Sequence, residues 1–141
     1  MQRKASATWQ GGLKDGKGSL TTDSRALSAT PYSFGTRFEG GTGTNPEELI
    51  AAAHAGCYAM ALSMILGEEG IRPERIDTTA TVTLEKSEGG FSITKVHLEV
   101  SVRAPGADRG KFEAATGKAK IGCPVSKVLN AAITMNARLV A

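Results

Sequence analysis

The stretch Thr44-Asn-Pro-Glu-Glu-Leu-Ile-Ala-Ala-Ala-His-Ala-Gly-Cys-Tyr58 decides how this chain folds. Asn45 suits the N-cap of a helix, Pro46 suits its first position, and Glu48 stands where a capping box requires an acid. The two adjacent glutamates also complement the positive end of the helix dipole. The stretch therefore predicts a long helix that begins at Pro46, runs to about residue 66 and ends near the glycines at 67 or 70.

The body of this helix, from Leu49 to Leu66, is apolar on nearly every side and is interrupted only by His54, Gly56 and Ser63. Its length is close to that of a membrane span, but it is rich in alanine, has acidic residues at both ends and stands alone in mid-chain. These features favour a core helix that is covered on all its faces. Because a small domain has few elements to cover such a helix, we expect a second subunit to contribute.

Alternation of apolar and polar residues predicts strands on both sides of the long helix. In one predicted strand the apolar parity changes between Ile93 and Val96, which predicts a β-bulge near Thr94 and Lys95. The predicted strands are Lys4–Gln10, Gly18–Ser24, a short extended segment within Tyr32–Phe38, Arg75–Ser87, Phe91–Arg103 and Ala131–Val140, and the further helices are Asp108–Ile121 and a short one from Pro124 to about Leu129.

This order of elements predicts an α+β fold, mostly antiparallel sheet around one long buried helix. At 141 residues the chain is long enough for one domain with a core, so we expect a single domain over residues 1–141. The composition agrees, since 40% of the residues are hydrophobic and 22% are charged.

Composition also narrows the classes of function. A net charge of +3 and an aromatic content of 5% do not favour a nucleic-acid partner. Two cysteines are too few for a disulfide scaffold, and the N-terminus shows no secretory signal, so we expect the reducing cytosol as the compartment. His54 and His97 have no zinc-like spacing with the cysteines, and Gly40–Gly43 lacks the lysine of a phosphate loop, so neither a metal nor a nucleotide site is expected.

The chemistry of the chain rests on Cys57 and Cys123, which lie 66 positions apart and can meet only through tertiary folding. Cys57 lies in the middle of the long helix, where burial alone predicts an inert thiol. Cys123 precedes Pro124 and so occupies a helix N-cap, where amide N–H groups favour a thiolate. Local rules therefore make Cys123 the more acidic thiol and leave open whether the pair is redox-active or plain core.

His54 lies three residues before Cys57 and shares its helix face. The pair could form a cysteine hydrolase, but one helical turn rarely gives suitable geometry and no third orienting group is evident. A packed or interface histidine is the favoured interpretation. By its position alone, Arg37 is a surface charge in a loop. By its position alone, Glu47 is an acid suited to the first turn of a helix.

Two cysteine motifs, Thr44–Ile50 leading into Cys57 and the later Gly122–Ser126, resemble those of the OsmC/Ohr family. This family comprises the osmotically inducible protein C and the organic hydroperoxide resistance proteins. The similarity covers essentially the whole chain, including Pro31–Gly40 and Ile76–Ala80. It is closest to the OsmC branch, because the candidate arginine precedes the long helix within Thr36–Glu39.

The resemblance implies a thiol peroxidase that reduces organic hydroperoxides to alcohols. Cys57 would be the peroxidatic cysteine, which becomes a sulfenic acid, and Cys123 the resolving cysteine, which forms a disulfide with it. Arg37 and Glu47 would match the ion pair that stabilises the reactive thiolate. Apolar walls would favour alkyl or lipid hydroperoxides over hydrogen peroxide; the candidates are Tyr32, Phe34, Phe38, Tyr58 and Met60.

The resemblance further implies an intertwined homodimer with two sites at the subunit interface. The reductant would be an external dithiol, with lipoyl groups favoured in the Ohr branch, and no bound cofactor or metal is needed. A nucleic-acid or membrane partner is not expected. The alternative is a non-catalytic stress-response or redox-sensing protein in which Cys57 and Cys123 are structural.

Overall fold

A computed structural model describes all residues from 1 to 141. The chain forms two compact units, Met1–Leu49 and Ile50–Ala141, and the boundary lies inside the long helix. Each unit contains one three-stranded sheet, so the predicted α+β class is confirmed. The single-domain assignment of residues 1–141 stays a prediction.

The first unit contains a sheet with the strand order β1-β2-β3, formed by Ala5–Gln10, Lys17–Thr22 and Thr30–Tyr32. All neighbouring strands in it are antiparallel. Gly18 allows the aromatic rings on this sheet to lie against the backbone, because a Cβ there would come within 2.4 Å of the Tyr32 ring and 2.7 Å of the Trp9 ring. A larger residue at position 18 would displace both rings.

The prediction of an extended segment up to Phe38 was wrong beyond Tyr32. Phe34–Phe38 forms a short helix, α1, whose N-cap is Ser33. The Ser33 hydroxyl accepts from the Thr36 N–H at 3.3 Å, and the Thr36 hydroxyl accepts from the Ser33 N–H at 2.9 Å. This reciprocal capping box fixes a helical turn although the apolar residues alternate as in a strand.

The long helix, α2, runs over Pro46–Glu68, close to the predicted bounds. The Asn45 side-chain oxygen accepts from the Glu48 N–H at 2.8 Å, as the predicted N-cap requires. At the other end, Gly70 adopts a left-handed φ of +76°, and the Ile71 N–H donates to the Leu66 carbonyl. Glycine tolerates this conformation and so stops the helix.

The second unit contains a sheet with the order β4-β5-β6, formed by Arg75–Ser87, Gly90–Arg103 and Ala132–Val140. The predicted bulge is confirmed, because Thr83 pairs with Lys95 and the next residue of β4 pairs with Ile93, which leaves Thr94 unpaired. β4 and β5 are antiparallel, whereas β5 and β6 are parallel.

Two helices connect the parallel strands: α3 over Arg109–Gly122 and α4 over Pro124–Val128. The Asp108 side chain caps α3 by accepting from the Lys111 N–H at 2.8 Å. All buried hydrophobic residues of the chain lie in the second unit, in a core formed by α2, β5, α3 and the α3–α4 junction: Tyr58, Leu62, Leu66, Ile71, Val96, Leu98, Val100, Val102, Ala104, Phe112, Ala115, Ala119 and Cys123.

Within one chain α2 is covered on one face only, and the expected contribution of a second subunit to the other face stays a prediction. Its buried stripe consists of His54, Tyr58, Leu62 and Leu66, at four-residue spacing. The opposite face is exposed and consists of small and methionine side chains: Ala52, Ala53, Gly56, Met60, Ser63, Met64 and Gly67. By length and composition alone α2 could cross a membrane, a test that core helices of soluble proteins also pass.

Candidate active site

The two sulfur atoms lie 2.9 Å apart, although the cysteines are 66 positions apart in the chain. Cys57 projects from the middle of α2, and Cys123 is at once the C-cap of α3 and the N-cap of α4. Both are free thiols, and the separation exceeds a disulfide bond length of about 2.05 Å. The arrangement places two reduced sulfurs where a small movement would join them.

The two thiols differ in accessibility. Cys123 is fully buried, whereas Cys57 is partly exposed. A reagent that approaches from solvent therefore reaches the Cys57 sulfur first. Within the second unit, Cys57 is therefore the more accessible thiol and Cys123 the enclosed one.

Electrostatics within the second unit work against a Cys57 thiolate. Burial raises the pKa of the Cys57 thiol, and its hydrogen bond with Cys123 raises it further. The N–H of Val125 opposes this shift without cancelling it. Cys57 therefore needs a cation from outside its immediate surroundings if it is to ionise near neutral pH.

Cys123 has the opposite tendency. Burial by itself raises the pKa of Cys123, but hydrogen bonding from Cys57, from the Ser126 N–H and hydroxyl and from the Val125 N–H outweighs burial and lowers it. The sulfur makes no regular capping hydrogen bond, yet the amides of the first turn of α4 stabilise its charge. These hydrogen bonds favour a negative charge on the Cys123 sulfur over one on Cys57. The local prediction that Cys123 is the more acidic thiol is confirmed.

His54 is fully buried and its Nε2 lies 2.7 Å from the Ser126 hydroxyl. Its Nδ1 has no hydrogen-bond partner, and burial lowers the pKa of the ring. His54 makes no hydrogen bond to Cys57, and no carboxylate or amide side chain orients its ring, whose one partner is the Ser126 hydroxyl. These findings favour a packed histidine, as expected, over a cysteine–histidine hydrolase.

Arg37 and Glu47 form a bidentate ion pair in the first unit. The arginine Nε donates to both carboxylate oxygens at 3.1 and 3.2 Å, and its Nη2 donates to Oε1 at 2.7 Å. Glu47 is buried in the first turn of α2, whereas the Arg37 side chain is 38% exposed. The carboxylate therefore holds the guanidinium in one orientation while leaving part of it free to bind an anion or a polar ligand.

Asn45 connects the two helices that carry this ion pair. Its side-chain oxygen caps α2, and its Nδ2 donates to the Thr36 carbonyl of α1 at 3.1 Å. The buried Thr44 hydroxyl donates to the Glu48 carboxylate at 3.2 Å. The two Asn45 bonds fix the position of α1, which carries Arg37, relative to the start of α2, which carries Glu47.

An apolar cavity of about 310 Å³ adjoins Arg37 in the first unit. The Trp9 and Tyr32 rings lie 5.5 Å apart between centroids, and the Phe34 and Phe38 rings lie 4.9 Å apart. The guanidinium carbon of Arg37 is 5.2 Å from the Phe38 ring centroid. The complete lining is Trp9, Leu13, Tyr32, Ser33, Phe34, Arg37 and Phe38.

The five side chains predicted as apolar walls thus lie in three different environments. Tyr32, Phe34 and Phe38 line the cavity, whereas Tyr58 is a core residue of the second unit whose hydroxyl donates to the Thr116 carbonyl. Met60 is exposed on α2. Trp9, Leu13 and Ser126 were not among the predicted site residues, although a lone tryptophan in a predicted strand was a signal for the first.

The structure therefore pairs Arg37 with Glu47 in the first unit and Cys57 with Cys123 in the second. The catalytic roles predicted for these four residues stay predictions. In the Arg37–Glu47 pair, the carboxylate holds a positively charged guanidinium in place. The Cys57–Cys123 pair can form and break a disulfide.

Comparison with known proteins agrees with the resemblance noted in the two cysteine motifs. The model of the OsmC-like protein family matches residues 39–138. The chain is 53% identical over 139 residues to peroxiredoxin OsmC of Escherichia coli, covering 99% of this chain and 97% of that protein. It is 32% identical over 126 residues to the organic hydroperoxide resistance protein of Xanthomonas axonopodis, covering 86% and 83%.

A solved structure supports the fold. The crystal structure of the organic hydroperoxide resistance protein OhrB of Bacillus subtilis matches with a TM-score of 0.70 and 29% identity, covering 96% of this chain and 98% of that one. An OsmC-like protein of Mycoplasma pneumoniae, at 14% identity, matches in fold with a TM-score of 0.77. The chain belongs to the OsmC-like family.

Proposed function

We propose that this protein is a thiol-dependent peroxidase that reduces organic hydroperoxides to alcohols. The observation that carries the proposal is the 2.9 Å contact between Cys57 and Cys123. Its family relatives include a named peroxiredoxin and several named organic hydroperoxide resistance proteins, which supports the same activity.

In the first step the Cys57 thiolate attacks the terminal oxygen of the hydroperoxide. A sulfur–oxygen bond forms, the peroxide oxygen–oxygen bond breaks, and the leaving alkoxide takes a proton to become the alcohol. Cys57 is thereby oxidised to a sulfenic acid. The partial exposure of Cys57 and the burial of Cys123 support this assignment of the first attack.

Arg37 supplies the positive charge that the Cys57 thiolate requires, and Glu47 holds the guanidinium in place. The need for such a charge follows from the raised pKa of Cys57, which burial and the bond with Cys123 impose. A bidentate carboxylate contact suits this task, since it orients arginine more firmly than a single contact would.

In the second step the Cys123 sulfur attacks the Cys57 sulfenic acid. The disulfide forms, the sulfur–oxygen bond breaks, and the oxygen leaves as water. An external dithiol, such as a lipoyl group, then reduces the disulfide and is itself oxidised. The cycle needs no bound cofactor or metal, since the sulfur atoms carry both electrons.

The cavity beside Arg37 would hold the alkyl part of the substrate. Its volume of about 310 Å³ is at the lower end of small-molecule sites, and its walls are largely aromatic. Alkyl or lipid hydroperoxides bury apolar surface there, whereas hydrogen peroxide does not. Organic hydroperoxides are therefore the preferred substrates.

The working form is an intertwined homodimer with two active sites. The first unit contains no buried hydrophobic residue, and a three-stranded sheet without a core is marginal in water. The exposed face of α2 also carries Met60 and Met64, whose relative exposures are 78% and 61%. A second copy of the chain would cover these apolar surfaces.

The cytoplasm is the compartment we assign. A cycle that ends with a reduced thiol pair needs a supply of reduced dithiols, and reducing cytosol provides one. No nucleic-acid or membrane partner is needed for this chemistry.

Steady-state turnover of cumene hydroperoxide with dihydrolipoamide tests the proposal. Wild-type protein should consume the peroxide, Cys57→Ser should be inactive, and Cys123→Ser should form a sulfenic acid that dimedone traps but should not turn over efficiently. Full activity in both variants would overturn the peroxidase assignment. A wild-type protein that forms the disulfide without turnover would instead indicate a redox sensor.

A further inference from the structure

Two contacts join α2 to α4, and they lie one helical turn apart on both helices. One is the contact between the Cys57 and Cys123 sulfurs at 2.9 Å, and the other joins His54 Nε2 to the Ser126 hydroxyl at 2.7 Å. His54 and Cys57 share one face of α2, and Cys123 and Ser126 are the N-cap and third residue of α4. A side chain at the third position naturally points back toward the N-cap residue.

The peroxidase chemistry proposed above leaves this second contact without a role. His54 is fully buried and has only one hydrogen-bonded ring nitrogen. A buried imidazole with an unpaired nitrogen is costly and would be replaceable by an apolar residue if packing were its only role. Its single partner, Ser126, is the third residue of the helix whose N-cap is Cys123, and its N–H and hydroxyl help to lower the pKa of the Cys123 thiol.

We propose that Ser126 and His54 form a proton relay that activates Cys123 for disulfide formation. The proposal rests on the peroxidase function and concerns its second step alone. In this relay Ser126 exchanges a proton with the Cys123 sulfur, and His54 is a positioning residue that acts through the Ser126 hydroxyl.

In the relay, the neutral His54 ring accepts the Ser126 hydroxyl proton at Nε2 while Ser126 Oγ accepts the Cys123 thiol proton. The Cys123 sulfur then attacks Cys57, so the sulfur–sulfur bond forms and the sulfur–oxygen bond of the sulfenic acid breaks. Its electron pair leaves with hydroxide, Cys57 sulfur is reduced and Cys123 sulfur is oxidised. The proton held by His54 passes to solvent, and one proton converts the hydroxide to water.

The surroundings of His54 favour transient protonation of its ring over permanent protonation. In the neutral tautomer that accepts at Nε2, the N–H at Nδ1 has no acceptor, and protonation of Nε2 would add a charge that burial disfavours, so the ring gives up this second proton readily. Burial lowers the pKa of His54 and so keeps the ring neutral and able to accept. The titratable side chains that interact with Cys123 are Cys57 and Tyr58, and the Tyr58 hydroxyl is a weak acid whose pKa is raised by burial and by the Cys123 charge.

The first experiment needs no peroxide. In a Cys57→Ser background, the ultraviolet absorbance of thiolate is followed against pH, so that Cys123 is the only thiol observed. Ser126→Ala should move the Cys123 titration to higher pH, and Ser126→Thr, which keeps a hydroxyl, should restore it. Ser92→Ala is the matched control. An unchanged titration in Ser126→Ala would overturn the proposal.

The second experiment separates the two steps by stopped flow after one equivalent of cumene hydroperoxide. Ser126→Ala and His54→Gln should leave the phase of Cys57 oxidation unchanged and slow the disulfide-forming phase about 100-fold, the low end for a positioned proton acceptor. The acid limb of that phase should disappear in His54→Gln, and His97→Gln should behave as wild type. Ser126 is only partly buried, so its variants decide the result even where His54→Gln folds poorly.

A disulfide-forming phase that is as fast in Ser126→Ala or His54→Gln as in the controls would overturn the relay. So would an equal slowing of both phases, because that indicates a general loss of structure. If wild-type protein shows no oxidation phase, the peroxidase proposal fails, and the titration of Cys123 still decides its interaction with Ser126.

Discussion

At the scale of single residues, the two cysteines show that acidity and accessibility are separate properties. The helix N-terminus favours a charge on Cys123, which is fully buried, while the accessible Cys57 lies where burial and its partner raise the pKa. A peroxide must meet a thiolate that it can reach. The proposed chemistry therefore depends on the Arg37 charge, which the Glu47 carboxylate fixes through three short contacts.

Replacing Arg37 with lysine should keep the charge and remove the bidentate contact with Glu47. We expect kcat/KM for cumene hydroperoxide to fall about 10- to 100-fold, equivalent to about 1.4 to 2.7 kcal/mol, because lysine is a flexible point charge. The matched control is Arg75→Lys, which changes an exposed pair with Asp77. Equal activity of both variants would show that orientation of the guanidinium does not matter.

His54 should make the stability of the protein depend on pH. Burial lowers its pKa below the ordinary value of 6.5, so below that pH the unfolded chain binds more protons than the folded one. The stability that the folded protein gains from keeping His54 neutral is complete above pH 6.5. It is lost as the pH falls through the folded-state pKa of His54. Urea unfolding at several pH values should show that His54→Gln weakens this acid-side decline, whereas His97→Gln does not.

At the scale of elements, capping residues decide whether a segment forms a helix or a strand where its apolar pattern is ambiguous. Ser33 and Thr36 turn an alternating segment into the helix α1, and Asn45 then connects α1 to the start of α2. The bulge at Thr94 was predictable from the spacing of Ile93 and Val96. Residues three positions apart in a regular strand lie on opposite faces, and one extra residue brings them onto the same face. A cap is a specific pair of hydrogen bonds and so can override a weak periodic signal.

Asn45→Ala should cost about 1 kcal/mol of unfolding free energy through loss of the cap, and somewhat more through loss of the bond to the Thr36 carbonyl. Asn45→Asp keeps the capping oxygen and should cost less. Asn130→Ala, at an exposed position, should change stability by less than about 0.5 kcal/mol. Urea denaturation measures all three, and a neutral Asn45→Ala would contradict this account of the helix start.

At the scale of the whole molecule, one chain leaves apolar surface that a globular protein normally covers. The buried core belongs to residues of the second unit alone, and α2 presents an exposed face that includes Met60 and Met64. An isolated exposed hydrophobic residue needs no explanation, but a row along one helix indicates an interface. The proposed homodimer follows from this row and from the lack of a core in the first unit.

Met60→Lys should weaken the dimer, because a charge would replace an apolar contact at the centre of that face. Sedimentation velocity should show a shift toward monomer or a lower thermal midpoint at low protein concentration. Ala114→Lys, on the exposed side of α3, should leave both unchanged. A wild-type protein that is monomeric, with a midpoint independent of concentration, would refute the homodimer.

The sequence by itself determined the elements whose signals are local. These include the start and end of α2, the strands β4 and β5 with their bulge, the cap Asn45, and the greater acidity of Cys123. Each depends on residues within a few positions of one another, so their types and spacing suffice. The family resemblance added the residue pairs expected at the site.

Only the tertiary structure decided which side chains meet across the chain. The sulfurs of Cys57 and Cys123, the His54–Ser126 contact and the aromatic cavity beside Arg37 join residues from separate elements. Tyr58 and Met60, similar in the sequence pattern, became a core residue and an exposed one. Such contacts depend on how helices and sheets pack, and packing is set by the sum of many weak interactions rather than by any local signal.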